Sequence, residues 1–156
     1  MTQSATEIEI GQGTDARRIA VRHRAATAAG LPGLVWLGGY RSDMAGTKAV
    51  ELDRHAGGKG LACTRFDYSG HGESGGEFRH GTISRWLEES LGVFDRFTEG
   101  QQILVGSSMG GWIELGMVLE LHKRGVRDRI RGVLLLAPAP VFTTDLHEPL
   151  LTPQQK

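Results

Sequence analysis

The segment Gly106-Ser107-Ser108-Met109-Gly110 most constrains how this chain can fold, because of what stands on either side of it. It follows the short apolar run 103–105 and precedes a long apolar stretch with helical spacing. Gly-x-Ser-x-Gly in that context predicts a sharp strand-to-helix turn, a nucleophile elbow, with Ser108 at its tip. Gly106 and Gly110 fit this interpretation, since so tight a turn leaves no room for a Cβ atom between neighbouring backbone segments.

Ser108 is therefore the candidate nucleophile, and a serine hydrolase is the leading interpretation. Ser107 is the alternative nucleophile, although it occupies the second position of the motif, before the tip of the turn. A serine hydroxyl is a poor nucleophile unless a neighbouring base takes its proton, so the turn by itself does not make an enzyme. A glycine-rich turn that only packs stays open as the other interpretation.

Short apolar runs alternate with helical patterns along most of the chain. The predicted strands cover residues 34–37, 61–66, 103–105 and 133–136, and the predicted helices cover residues 45–55, 83–97 and 109–122. Residues 7–10 and 18–23 precede them as a predicted hairpin. Continuous apolar strands that alternate with helices predict an α/β fold, with a mainly parallel sheet and helices on both faces. We expect one such domain over residues 1–156.

Composition and charge exclude several classes of protein. Lysine plus arginine and aspartate plus glutamate both number 18, so neither nucleic acid nor an anionic membrane is indicated as a partner. No apolar run approaches the ~20 residues that cross a bilayer, and no signal peptide is visible, so a cytoplasmic protein without a membrane span is expected. The single cysteine, Cys63, excludes an internal disulfide and lies in a strand pattern typical of a buried thiol. The histidines lack metal-ligand spacing, so no metal is expected.

Two backbone N–H groups are candidates for an oxyanion hole, the donor pair that stabilises the charged intermediate of acyl transfer. Met109 follows the candidate nucleophile and lies at the positive end of the following helix. Tyr40 follows the pair Gly38-Gly39 in the loop after the first apolar strand, where the glycines let the chain turn. That loop can also be an ordinary strand-to-helix connection with Ser42 or Asp43 as the N-cap, and both interpretations can hold together.

The run Gly70-His71-Gly72-Glu73-Ser74-Gly75 formally matches the dinucleotide fingerprint G-x-G-x-x-G. Its strand is not the first of the sheet, and the predicted helix does not begin at the glycines, where a bound phosphate would need it. A nucleotide-binding α/β protein is therefore the weakest of the interpretations. We expect His71 to be a hydrogen-bonding loop residue beside the pocket, and not the catalytic base.

The segments 38–49 and 67–74, together with the elbow, resemble the α/β-hydrolase superfamily. The first reads Gly-Gly-Tyr-Arg-Ser-Asp-Met-Ala-Gly-Thr-Lys-Ala and the second Asp-Tyr-Ser-Gly-His-Gly-Glu-Ser. Both are most similar to the branch that contains the mitochondrial palmitoyl-protein thioesterase and related bacterial hydrolases. The resemblance implies Ser108 as nucleophile and Tyr40 and Met109 as oxyanion donors. It also implies hydrolysis of small-molecule acyl esters or thioesters without a cofactor.

The order of catalytic residues in that superfamily is serine, then acid, then histidine. Asp145 and His147 follow Ser108 in that order, but they are too close in sequence to place an acid behind the ring and the ring beside the serine. We expect neither to be catalytic, although the acid follows a comparable strand in some lipases, which leaves Asp145 a small chance. The catalytic acid and histidine, the lid and the last strands are then missing, and the chain is expected to be the N-terminal part of a longer hydrolase.

This expectation leaves two interpretations of the chain as given. It is either a serine hydrolase that is inactive or weakly active in this truncated form, or a non-catalytic remnant or interaction module with the same fold. In both cases the strand 133–136 is expected to leave an open sheet edge, which favours self-association.

Overall fold

The computed structural model describes residues 4–140, which form six strands and three long helices, and the two kinds of element alternate from the third strand onward. The strands are β1 (Thr6–Ile10), β2 (Arg17–Arg24), β3 (Gly33–Leu37), β4 (Cys63–Phe66), β5 (Gln102–Ser107) and β6 (Ile130–Leu136). The helices are α1 (Thr47–Lys59), α2 (Ile83–Phe97) and α3 (Met109–Lys123). Every predicted strand and helix is present, with ends that differ by a few residues because local patterns define termini poorly.

The strands form one sheet in the order β1-β2-β4-β3-β5-β6. β1 and β2 pair antiparallel as the predicted hairpin, and β2 pairs antiparallel with β4. β4, β3, β5 and β6 run parallel to one another. Because β3 lies beside β5, with Leu37 opposite Gly106, the loop after β3 and the elbow after β5 meet at the carboxyl edge of the sheet. Sites of open α/β sheets lie at that edge.

Successive side chains of the central strands pack against helices on opposite faces of the sheet. Val35 and Leu37 of β3 lie in the main core with α2 and α3, whereas Trp36 of the same strand packs with Ala49 of α1. This follows from the two-residue period of a strand, whose successive side chains point to opposite faces. The α/β fold with helices on both faces is thus confirmed. Within residues 4–140, no helix has both the length and the apolar character needed to span a membrane.

β6 is the last strand of the sheet among the described residues, where it pairs only with β5. Its apolar side chains are well exposed: Val133 by 41%, Leu134 by 49% and Leu135 by 37%. Leu119 of α3 is likewise exposed, although the helix is apolar almost all round. This surface has the properties of the predicted open edge. Its role in self-association stays a prediction.

Cys63 is expected not to react with thiol reagents in the native protein. The residue is 1% exposed, and burial raises the pKa of its thiol to about 12, so almost no thiolate forms near neutral pH. With the disulfide reagent DTNB we expect no reaction in buffer and one thiol per chain after unfolding in guanidinium. Leu31→Cys, at a position that is 51% exposed, is the control and should react at once. Rapid reaction of the unmodified native chain would contradict this burial.

Candidate active site

Ser108 lies at the tip of the turn between β5 and α3, in a sparsely populated backbone conformation with φ 55° and ψ −118°. Its N–H donates to the carbonyl of Leu136 at 3.0 Å. Its carbonyl accepts from the N–H groups of Gly111 at 2.9 Å and Ala139 at 3.1 Å. A positive φ at a non-glycine residue costs about 1–3 kcal/mol and persists only where the surroundings impose it. These three hydrogen bonds are such a constraint, and the predicted sharp turn is present.

The glycines of the turn are explained by direct steric contact. A Cβ atom on Gly106 would lie 2.7 Å from the carbonyl oxygen of Gly110 and closer still to Glu114 Oε2. A Cβ atom on Gly110 would lie 2.6 Å from the carbonyl oxygen of Gly38 and would overlap that of Leu37. The second contact shows that the elbow is pressed against the end of β3, so only glycine fits at the crossing point.

The loop after β3 lies directly against Ser108. A Cβ atom on Gly39 would be 3.5 Å from the Cβ of Ser108. Residues 39–42 form a turn that is closed by the N–H of Ser42, which donates to the carbonyl of Gly39 at 3.1 Å. Tyr40 and Arg41 are the central residues of this turn, and Arg41 has a φ of 56°. The candidate donor Tyr40 is thereby placed in the turn that adjoins the elbow.

Met109 is the first residue of α3 and is fully buried. Ser108 is the N-cap residue of this helix, but its hydroxyl does not hydrogen-bond to the first turn. The N–H groups of a first helical turn have no partner within the helix, and they carry its partial positive charge. An anion beside Ser108 would therefore lie between this helix terminus and the turn at residues 39–42.

Ser107 is held in a different environment from Ser108. It ends β5, is buried, and its Oγ accepts a hydrogen bond from Lys48 Nζ at 3.1 Å. Ser107 and Lys48 line a cavity of about 190 Å³, which Trp36 and Gly39 also line. No sequence pattern predicts this contact, because Lys48 lies in α1, far from the elbow along the chain. A serine that accepts from an ammonium group is not paired with a base.

His71 is a buried loop residue whose two ring nitrogens are both engaged away from Ser108. Its Nε2 accepts from the N–H of Arg41 at 3.3 Å, and its Nδ1 lies 3.2 Å from the carbonyl oxygen of Ser69. Burial lowers the pKa of the imidazole, which favours the neutral form. Among residues 4–140, no group of three or more histidine, cysteine or acidic side chains could hold a metal ion. Asp145 and His147 lie outside the described residues.

The glycine run 70–75 packs around a buried carboxylate. Asp67 Oδ1 accepts from the N–H of Met44 at 2.6 Å, and Oδ2 accepts from that of Glu73 at 2.8 Å. A Cβ atom on Gly72 would overlap this carboxylate. Helix α2 begins only at Ile83, so the glycines do not lead into a helix N-terminus as a dinucleotide fingerprint requires. Asp67 thus links the loop after β3 to the loop after β4. Its position directly after a buried strand is the only sequence signal for this role.

Glu114 is a further buried acid near the elbow, and no sequence pattern pointed to it. Its side chain is fully buried in α3 against Gly106, and neither carboxyl oxygen completes a hydrogen bond. Burial raises its pKa to about 7, against a smaller opposite effect of the backbone N–H groups of Leu134 and Gly106. A carboxyl group in this position is protonated much more readily than one in water.

The chain is similar to hydrolases in both sequence and structure. The family profile described as serine aminopeptidase, S33, matches residues 48–153. Human mitochondrial palmitoyl-protein thioesterase ABHD10 is 45% identical over 84 residues, which cover 54% of this chain and 28% of that protein. The crystal structure of a putative hydrolase from Agrobacterium vitis has a TM-score of 0.89 and 53% identity, and the match covers 99% of this chain and 59% of that one.

The mouse α/β hydrolase domain-containing protein 10 has a TM-score of 0.71 and 30% identity, with 84% of this chain and 49% of that one covered. The matches thus span between 28% and 59% of the length of these relatives.

Proposed function

Because the chain belongs to the serine aminopeptidase S33 family of α/β hydrolases, we propose that Ser108 is the nucleophile of a carboxylic-ester or acyl-thioester hydrolase. The observation that carries the proposal is the strained φ of 55° at Ser108, which holds the serine at the tip of the strand-to-helix turn. The name of the thioesterase relatives supports an acyl ester or thioester as substrate. In this proposal the substrate is a small molecule and no cofactor takes part.

The proposed reaction is acyl transfer in two steps. Ser108 Oγ attacks the carbonyl carbon of the substrate while its proton passes to a base, and the carbonyl oxygen becomes an oxyanion. We propose that the N–H groups of Tyr40 and Met109 donate to this oxyanion, because the two residues flank Ser108. Collapse of the intermediate expels an alcohol or thiol, which takes up the proton, and leaves an acyl-Ser108 ester that water then hydrolyses.

The base determines how fast this chain reacts. The buried His71 does not serve, since Arg41 and Ser69 engage both of its ring nitrogens. Within residues 4–140, no side chain hydrogen-bonds to the Ser108 hydroxyl in the way that a catalytic histidine does. We therefore propose that residues 4–140 by themselves support only slow acylation of Ser108, through the backbone donors. The same observation favours a second candidate function, a non-catalytic protein that keeps the fold without turnover.

A fluorophosphonate probe tests the assignment of the nucleophile. We expect mass spectrometry to find the probe on Ser108 after long incubation, and Ser108→Ala to abolish labelling. Ser107→Ala is the matched control and should retain it, because Ser107 is buried and bound by Lys48. Labelling that survives Ser108→Ala would show that the nucleophile is misassigned. Hydrolysis of p-nitrophenyl acetate no faster than by Ser108→Ala would favour the non-catalytic candidate.

A further inference from the structure

The turn at residues 39–42 is strained at its third residue. Arg41 has a φ of 56°, which costs a residue with a side chain roughly 1–2 kcal/mol. The central peptide of a four-residue turn has two common orientations, and only one of them gives the third residue a positive φ. Glycine is the usual residue there, yet this chain has arginine. An interaction outside the turn must therefore hold the peptide between Tyr40 and Arg41 in the less favourable orientation.

A hydrogen bond to His71 lies outside the turn and involves this peptide. The N–H of Arg41 belongs to the central peptide, and it donates to His71 Nε2 at 3.3 Å. A carbonyl oxygen only accepts, so the contact of Nδ1 with the carbonyl of Ser69 assigns the proton to Nδ1 and leaves Nε2 as an acceptor. If the central peptide flipped, the N–H of Arg41 would leave Nε2 and the imidazole would lose its partner.

The imidazole itself is fixed by aromatic neighbours. Its ring centroid lies 5.1 Å from that of Phe78, 5.2 Å from that of Trp86 and 5.7 Å from that of Tyr68, each in an edge-on arrangement. Trp86 Nε1 donates to the carbonyl of Ser69, the same group that receives His71 Nδ1. Phe78 also contacts the ring of Tyr40, with centroids 5.0 Å apart. The ring is thus a rigid support beneath the turn.

We propose that neutral His71 is a positioning residue, which holds the Tyr40–Arg41 peptide in its strained orientation and so fixes the turn from which the preceding peptide directs the Tyr40 N–H at the substrate oxyanion. The inference rests on the proposed function, in which Tyr40 is an oxyanion donor. A protonated imidazole carries N–H groups on both nitrogens and accepts no hydrogen bond. Protonation of His71 therefore removes the acceptor that holds the turn, and in this proposal a turn that is not held positions the Tyr40 N–H less well for the oxyanion.

The charged groups around the imidazole act in both directions. Burial lowers the pKa of His71, and the carboxylates of Asp67 and Glu89 oppose that effect. The guanidinium of Arg41 lies over the ring of Phe78 at 5.1 Å, so a cation also adjoins this cluster. Because the pKa is lowered, the imidazole stays neutral to a lower pH than that of an ordinary histidine, and the turn is released only on acidification beyond the ordinary pKa.

Amide hydrogen exchange measured by NMR tests the hydrogen bond without any catalysis. We expect the N–H of Arg41 to exchange about tenfold faster in His71→Phe, which keeps an aromatic ring in place but offers no acceptor. His71→Gln supplies a side-chain oxygen as acceptor and should restore part of the protection. In the unmodified chain, ¹H–¹⁵N correlation should find the proton on Nδ1. Arg41 protection should fall on acidification relative to the N–H of Leu34, which donates to Ala62 in the sheet.

Acylation of Ser108 by p-nitrophenyl acetate tests the consequence for the site. We expect the acylation rate to fall several-fold in His71→Phe and to recover in His71→Gln. In both variants the decrease in rate that protonation of His71 causes at low pH should be absent. Unchanged Arg41 exchange in His71→Phe, or a proton on Nε2, would overturn the proposal even if the variant folds poorly, because the tautomer is read from the unmodified chain. Altered exchange with an unchanged acylation rate would overturn the link to the oxyanion hole. If Ser108 reacts in no variant, the proposed function fails, while exchange still decides whether His71 holds the turn.

Discussion

Gly110→Ala is expected to lower the free energy of unfolding by about 3 kcal/mol, the upper end of what overpacking usually costs. The new Cβ atom would overlap the carbonyl oxygen of Leu37 and lie 2.6 Å from that of Gly38. Both are backbone atoms, so no side-chain rotation relieves the contact. The end of β3 is also held in place by its pairing with β5, where Leu37 is opposite Gly106. Relief therefore requires either the loss of sheet pairing or a shift of α3 away from the elbow.

Gly58→Ala is the matched control for this substitution. Gly58 lies inside α1, and a Cβ atom there would meet no other atom within 4 Å. Alanine in an open helical position should stabilise the protein by about 0.5–1 kcal/mol through its better helix propensity. Urea unfolding followed by far-UV circular dichroism measures both variants. If Gly110→Ala is no less stable than Gly58→Ala, the elbow does not approach β3 as closely as described.

The fold was largely predictable because its signals are local. The period of helix α2 defines an apolar face, and its bounds, Ile83–Phe97, agree with the predicted 83–97. The turn at Ser108 was predictable for a similar reason, since Gly106 and Gly110 are required within a few residues of it. Parallel strands read as continuous apolar runs, which distinguished them from the alternating hairpin strands. Each of these patterns is complete within about fifteen residues of sequence.

The contacts that define the candidate site were not predictable, because they join residues distant in sequence. Lys48 at the start of α1 contacts Ser107 at the end of β5, and His71 in the loop after β4 contacts Arg41 in the loop after β3. No period or spacing encodes such a meeting, which depends on the strand order. Glu114 was missed for a different reason. A glutamate in a helix is ordinarily on a solvated face, whereas five of the first six residues of α3, Glu114 among them, are buried.

Glu114→Met should stabilise the protein by about 3 kcal/mol at pH 8, because it replaces a buried carboxylate with an unbranched apolar side chain of similar length. The carboxyl group is fully buried, lacks a complete hydrogen bond, and has its pKa raised to about 7. In the unfolded chain the same group ionises near its ordinary value of 4.5. Above neutral pH the native state must therefore either hold an unfavourable charge or keep a proton that the unfolded state releases.

The pH dependence of this effect identifies its cause. Between pH 4.5 and about 7 the native state binds more protons at Glu114 than the unfolded state does, so its contribution to stability falls as the pH rises. The advantage of Glu114→Met should accordingly grow from about 1 kcal/mol at pH 5 to about 3 kcal/mol at pH 8. Glu120→Met, at a partly exposed position of the same helix, is the control and should stay within about 0.5 kcal/mol of the unmodified chain. Urea unfolding measures the free energy of unfolding of both proteins at each pH. If the difference between Glu114→Met and the unmodified chain does not change from pH 5 to pH 8, Glu114 is not the titrating group, and a partner compensates its burial beneath the elbow.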